Sequence, residues 1–263
     1  MFWFRQGLCF LPAFLVSWSS ATFIISFVFA VYRRDIDVIF PYISDTGATP
    51  PESCLFGLMT IISAFAGTAT VYTRYKLVEK QIEENNLVKP GLNEASLWLG
   101  IISCFGMCVV ATFQETAVRW AHDLGALLFF STGIIYIILQ SVMSFKVYPY
   151  NTSKSVLLVR TGLTLFAVIA FFPTVICAFY PNSTSKMHWH RGDKSYSSHL
   201  ASSISEWIVA FSFVFYFYTY IDDFKVSISS PKLKCYLFPF ICFPKSLSSL
   251  FPTVVYHASE NRV

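Results

Sequence analysis

The sequence predicts an all-α polytopic membrane protein, a six-transmembrane-helix bundle with both termini cytoplasmic. Three observations predict it. Of 263 residues, 55% are hydrophobic and only 13% charged, about half the charge of an ordinary soluble domain. The apolar residues gather into six runs, each close to the 20 or so that cross a bilayer core as a helix. The basic residues lie unevenly between the connections. With the N-terminus cytoplasmic, thirteen of the 19 Lys and Arg residues fall on the cytoplasmic side and six on the other, the bias that sets orientation.

The runs are residues 8–32, 54–72, 95–113, 121–145, 156–180 and 202–221. Stretches such as Leu99 to Val110 and Thr161 to Val175 are continuously apolar. A membrane barrel would instead alternate over segments of about 10 residues. The first run is longer than the 7–15 residues or so of a cleaved signal peptide, so it reads as a spanning helix. Residues 1–224 form the membrane domain and 225–263 a cytoplasmic tail. The composition excludes a disordered chain and disfavours a soluble enzyme. A net charge of +4, with its basic residues scattered over loops, does not make a nucleic-acid-binding surface.

The first lumenal loop, about residues 33–53, carries PYISDTGATPPES at 41–53. Pro and Gly fix its turns, and Ser44, Asp45 and Thr46 can bond neighbouring backbone. A rigid cap on the helix ends is the first reading of this loop and a partner epitope the second. In the fifth loop, Asn182 opens a glycosylation sequon on the lumenal side, whereas the Asn151 sequon falls on the cytoplasmic side. His188, His190 and His199 read as solvated surface histidines, too few to hold zinc. In the tail, Cys235 and Cys242 stand beside basic and aromatic residues and are candidate palmitoylation sites. Cys54 and Cys177 both approach the lumenal face, so a bridge between them is open.

Ionisable groups inside spans mark functional sites by default. Gln114 and Glu115 end the third span, His122 and Asp123 open the fourth, and Glu206 begins the sixth, all toward the lumenal face. They predict a polar cluster with His122 bonded to a carboxylate. It serves either as interhelical hydrogen bonding or as a site for a lipid head group, a proton or a cation. No P-loop, G-x-S-x-G or H-E-x-x-H motif occurs. The in-span supply of one His and one Asp disfavours zinc hydrolysis.

Five segments carry a resemblance: PYISDTGATPPES at 41–53, YTRYK at 72–76, FQE at 113–115, HDLGA at 122–126 and EWIVAFSFVFYFYTYIDDF at 206–224. Together with the opening apolar run they resemble the DNA damage-regulated autophagy modulators, within the Frag/DRAM/Sfk group of six-span membrane proteins. Matched motif positions are Pro41, Tyr42, Ile43, Ser44, Asp45, Gly47, Phe113, Gln114, His122, Gly125, Glu206 and Trp207. Thr112 departs from the Asn usual before Phe-Gln in relatives, and the tail after Phe224 has no counterpart.

The resemblance implies a lysosomal membrane protein that promotes autophagy, linked to stress-induced programmed cell death. It implies no enzymatic activity and no cofactor. Partners would be membrane lipids and proteins of the autophagy or lysosomal machinery, with no nucleic acid. Sfk-type relatives make the plasma membrane the alternative location. The alternative function is a transporter or channel for a small solute or lipid, working through the lumenal polar cluster.

Overall fold

The computed structural model describes residues 7–149, 152–178, 187–189 and 191–226. These residues are helix and connection, with no strand among them. Helix α1 runs Phe10–Arg33 after a single 3-10 turn at Gly7–Cys9; α2 runs Glu52–Asn85, α3 Pro90–Thr112, α4 Arg119–Val147, α5 Lys154–Ala178, α6 Tyr196–Tyr218 and α7 Tyr220–Val226. Six of the helical stretches are long and apolar enough to cross a membrane, α6 counted together with α7. The chain is therefore an all-α bundle of six membrane-crossing helices.

Local chemistry sets the helix ends. Arg34 takes the left-handed conformation and donates its backbone N–H to Ala30 and Val31, closing α1. Pro90 begins α3, where its missing N–H costs nothing. The largest departure from the apolar runs is α2. Its 34 residues span about 50 Å at 1.5 Å per residue, well beyond the hydrocarbon core. The added turns are charged and carry Lys76–Glu79 at 2.7 Å and Lys80–Glu84 at 3.7 Å along one helix face. Periodic charge continued a helix that hydropathy alone would have ended. Helix α6 likewise starts earlier than its apolar run, at Tyr196.

Each helix packs on its neighbour in the chain, and α1 closes back on α6. The most extensive contact is α3 on α4, where glycines remove the side-chain barrier. A Cβ at Gly106 would sit 2.6 Å from the Phe129 nitrogen and 2.8 Å from the Gly125 carbonyl oxygen. Ser103 uses that proximity to donate its hydroxyl to the Phe129 carbonyl at 2.8 Å. Elsewhere, hydroxyls such as Thr22, Ser63, Thr70 and Thr174 bond the carbonyl four residues back in their own helix. They are thereby satisfied without water. The main apolar core joins α2, α4, α5, α6 and α7 around Val71, Ile137, Ala167, Val209 and Phe224. Large apolar side chains such as Phe65, Phe105, Phe145 and Ile169 point outward, as they do where the surrounding solvent is lipid.

Candidate functional site: a capped end and a buried arginine pair

The α1–α2 loop folds inward over one end of the bundle. Its PYISDTG segment makes a 3-10 turn at Ser44–Gly47, and Pro41, Ile43, Asp45, Thr46 and Gly47 are buried. Two residues of α6 hold it. Glu206 Oε2 accepts the Ile43 backbone N–H at 3.1 Å, and Trp207 Nε1 donates to the Pro41 carbonyl at 2.9 Å. The turn bonds within itself, from Tyr42 N–H to Asp45 Oδ2 at 3.2 Å and from Thr46 Oγ1 to the Ile43 carbonyl at 2.6 Å. The α3–α4 connection adds Ser44 Oγ to Glu115 Oε2 at 3.3 Å and Thr116 Oγ1 to the Ala48 carbonyl at 2.6 Å. Arg33 ties the loop's two roots together through Glu52 at 2.6 Å and Asp35 at 3.3 Å.

Gly47 is required here by space. A Cβ would overlap the Phe56 ring, which packs directly beneath the turn. The loop is thus a fixed cap, and the six motif positions 41–45 and 47 share one hydrogen-bonded unit. Its electrostatics are unusual for a surface loop. Burial raises the Asp45 carboxyl well above the usual carboxylate range, and the facing carboxyls of Glu115 and Glu206 raise it further. Burial likewise pushes the Tyr42 phenol upward.

The polar cluster read from sequence divides between different partners. Glu206 joins the cap, as above. Among the described residues His122 bonds no carboxylate; its Nδ1 lies 2.8 Å from the Phe113 carbonyl oxygen, so it ties the start of α4 to the end of α3. Asp123 is exposed and pairs with Arg119 one turn away at 3.4 Å. Gln114 is half-buried in the α3–α4 connection. Its neighbour Glu115, the other polar residue closing the third span, sits against Asp45. His199 is a second correction. It is buried rather than solvated, stacked on Trp189 with ring centroids 4.2 Å apart and edge-on to Tyr42 at 5.0 Å. Packing between the two aromatic rings removed it from water. His188 lies at the surface, 3.3 Å from Asp37. Cys54 and Cys177 are free thiols. Asn182, Asn151, His190, Cys235 and Cys242 lie outside the described residues.

The opposite end holds a cluster that the sequence reading did not assemble. Arg74, two residues past the second apolar run, and Arg160, near the start of the fifth, are the two largest fully buried side chains among the described residues. Both guanidinium groups bond one oxygen of Asp223, Arg74 at 2.8 Å and Arg160 at 2.5 Å. Arg74 Nε donates to Gln140 at 3.0 Å, whose amide donates to Ser96 at 2.8 Å. Arg160 donates to Thr219 Oγ1 and Ser144 Oγ, each at 2.9 Å. Each guanidinium also lies 5.1 Å from the centre of the Tyr220 ring, whose negative face favours a cation. One network therefore joins α2, α3, α4, α5 and α6 to α7. The signal was present in YTRYK and YIDDF, two segments that carried the resemblance without yielding a named position.

Residues 7–227 match the family model described as Frag1/DRAM/Sfk1/Cwh43P N-terminal domain. DNA damage-regulated autophagy modulator protein 1 of Homo sapiens is 48% identical over 225 residues, 86% of this chain and 94% of that protein. DNA damage-regulated autophagy modulator protein 2 of Mus musculus is 43% identical over 232 residues, 86% of each chain. Modulator of macroautophagy TMEM150B of Danio rerio is 29% identical over 232 residues, 85% of this chain and 91% of that one. No solved structure matches. The matched region takes in both the cap and the arginine cluster, and the chain belongs to the Frag1/DRAM/Sfk1/Cwh43P family.

Proposed function

We propose that this protein is a non-enzymatic lysosomal membrane regulator that promotes autophagy, with a link to stress-induced programmed cell death. The observation that carries it is the near full-length likeness, at 48% identity, to a protein named as an autophagy modulator. The geometry supports a scaffold. The motif residues Pro41, Ile43, Asp45, Glu206 and Trp207 are spent on holding a loop to a helix, so their role is to present a fixed surface. That surface works through membrane lipids and protein partners of the autophagy or lysosomal machinery. The basic bias of the connections supports cytoplasmic termini and a cap facing the lumen, with Asn182 the glycosylated asparagine.

The test is deletion of the gene in cells, with autophagic flux and organelle fractionation as readouts. Flux should fall, return on re-expression of the wild-type chain, and stay low with Gly47→Leu, which displaces the cap from Phe56. The tagged chain should co-fractionate with lysosomes and carry glycan lost in Asn182→Gln. Unchanged flux on deletion, or a chain found in the plasma membrane instead, would remove the reading.

A further inference from the structure

A cavity of about 70 Å³ lies inside the bundle, between α1, α2, α3, α4 and α6. Its lining residues fall in the middle of each of these helices, and so at the depth of the hydrocarbon core. Among the described residues no Asp, Glu, His, Lys or Arg lines it. The hydroxyls of Ser103 and Tyr136 are already bonded, to the Phe129 carbonyl and to Tyr220, which leaves too few partners to hold water. The lining runs from Leu15 to Phe23 on α1 and from Phe129 to Ile137 on α4, a height of about 12 Å at 1.5 Å per residue. So small a volume over that height makes a narrow upright slot. Both of its ends are closed. Toward the cap, Phe23 and Ala210 line the slot and also pack with Ile43. Toward the arginine network, Phe217 stacks on Tyr136 with ring centroids 6.0 Å apart.

We propose that this slot takes one acyl chain of a bilayer phospholipid. Depth and lining together select that occupant. At this level the molecules outside the bundle are lipid tails. An apolar hollow that cannot hold water forfeits the dispersion contacts of its walls unless hydrocarbon fills it. With the cap over one end and the tyrosines over the other, the chain enters sideways beside α1, the least buried of the lining spans. The headgroup stays outside the bundle, since among the described residues nothing charged lines the slot to receive it. A sterol's fused rings are too broad for so narrow a space. The site stands on the cavity alone and does not depend on the regulatory role proposed above.

The test is photo-cross-linking of the full chain in phosphatidylcholine nanodiscs doped with phosphatidylcholine that bears a mid-chain diazirine, with adducts mapped by mass spectrometry of peptides. Cys104 and Val214 line the slot and are each only 7% exposed, so a chain reaches them only from within. Both should be labelled in the wild type, beside the outward-facing Phe105 and Ile169. Ser19 also lines the slot. Ser19→Phe fills it from α1 and should lower labelling of Cys104 and Val214 by about tenfold or more, since several methylenes lose their place at once. Val16→Phe fills it from a half-buried position, which keeps the test valid if Ser19→Phe fails to fold. Labelling of Phe105 and Ile169 should hold in both variants and reports that the bundle is inserted. Diazirine-bearing cholesterol and free diazirine-bearing palmitate, tried on the wild type, should label the two buried positions more weakly than the phospholipid does. Equal or stronger labelling by either overturns the proposal. So do Cys104 and Val214 left unlabelled in the wild type, or labelled alike in wild type and both variants.

Discussion

The two ends of the bundle bury charge by opposite means. At the arginine end, cations meet an anion directly, with two guanidinium groups on one Asp223 oxygen and the Tyr220 ring beside both. At the capped end, acidic groups gather without a buried Lys or Arg among the described residues. Glu206 and Asp45 are held by backbone N–H groups, and Glu115 by the Ser44 hydroxyl. The first arrangement locks helices to one another and depends on every member. The second fixes a loop through neutral donors and sets carboxyls against one another, so it responds to protons. One end is built to hold and the other to be adjusted.

The sharpest way to break the contrast is to remove the anion at the arginine end. Asp223→Ala leaves Arg74 and Arg160 without their shared counter-charge, and the loss of one member of a buried pair costs about 3–5 kcal/mol. Thermal unfolding in detergent should show the largest destabilisation of any single change considered. The comparison fails if Asp223→Ala melts with the wild type.

At the capped end the same operation should cost less and depend on hydrogen bonding instead of charge. Glu206→Ala strands the buried Ile43 N–H, a loss of about 1–3 kcal/mol. Glu206→Gln keeps an acceptor at that position and should lie close to wild type. A Gln variant as damaged as the Ala variant would mean that the Glu206 charge is needed, contrary to the contrast drawn. Hydrogen exchange of the Ile43 amide reads this locally.

Protons supply the next distinction. The folded state holds Asp45 with a raised pKa, so it binds a proton over a pH window in which the unfolded chain has released its own. Stability of the cap is therefore greatest in acid and declines as pH rises through that window. The slope is at most about 1.4 kcal/mol per pH unit for one proton. Exchange protection around residues 41–48 should be higher near about pH 5 than near about pH 8. Asp45→Asn mimics the protonated carboxyl and should flatten this dependence, while the arginine end changes little in either protein. A wild-type cap with the opposite slope would refute the assignment.

How much of this was legible beforehand differs between the ends for a physical reason. Hydropathy located all six helices, because lipid demands continuous apolar runs, and PYISDTG could be read as a cap from its turn residues. The partners of His122 and Glu206 could not, since a backbone carbonyl or N–H leaves no mark in the sequence. Glu115 was visible beside Gln114, but its contact with Asp45 was not, because only the fold brings the two loops together. Arg74 was assigned to a loop because charge is the usual sign that a span has ended. In α2 the helix continues beyond it, and its partner Asp223 lies 149 residues away. Long-range pairing of opposite charges is invisible to a window of about 20 residues, although Arg-Tyr and Asp-Asp inside otherwise aromatic segments were its trace.

The smallest effect belongs to a residue that sequence reasoning placed at the centre. Asp123 was grouped with His122 and Glu206, yet it is exposed and pairs with Arg119, itself exposed, at 3.4 Å along the same helix. Such surface pairs contribute about 0.2–1 kcal/mol and are screened by salt. Asp123→Asn should therefore shift unfolding by less than about 0.5 kcal/mol, and raising the salt concentration should erase the difference. His122→Ala sharpens the comparison from the adjacent position. It removes a buried link to the Phe113 carbonyl and should cost clearly more than its neighbour, with no salt dependence. If the two variants behaved alike, the division of this cluster between water and the bundle interior would be wrong.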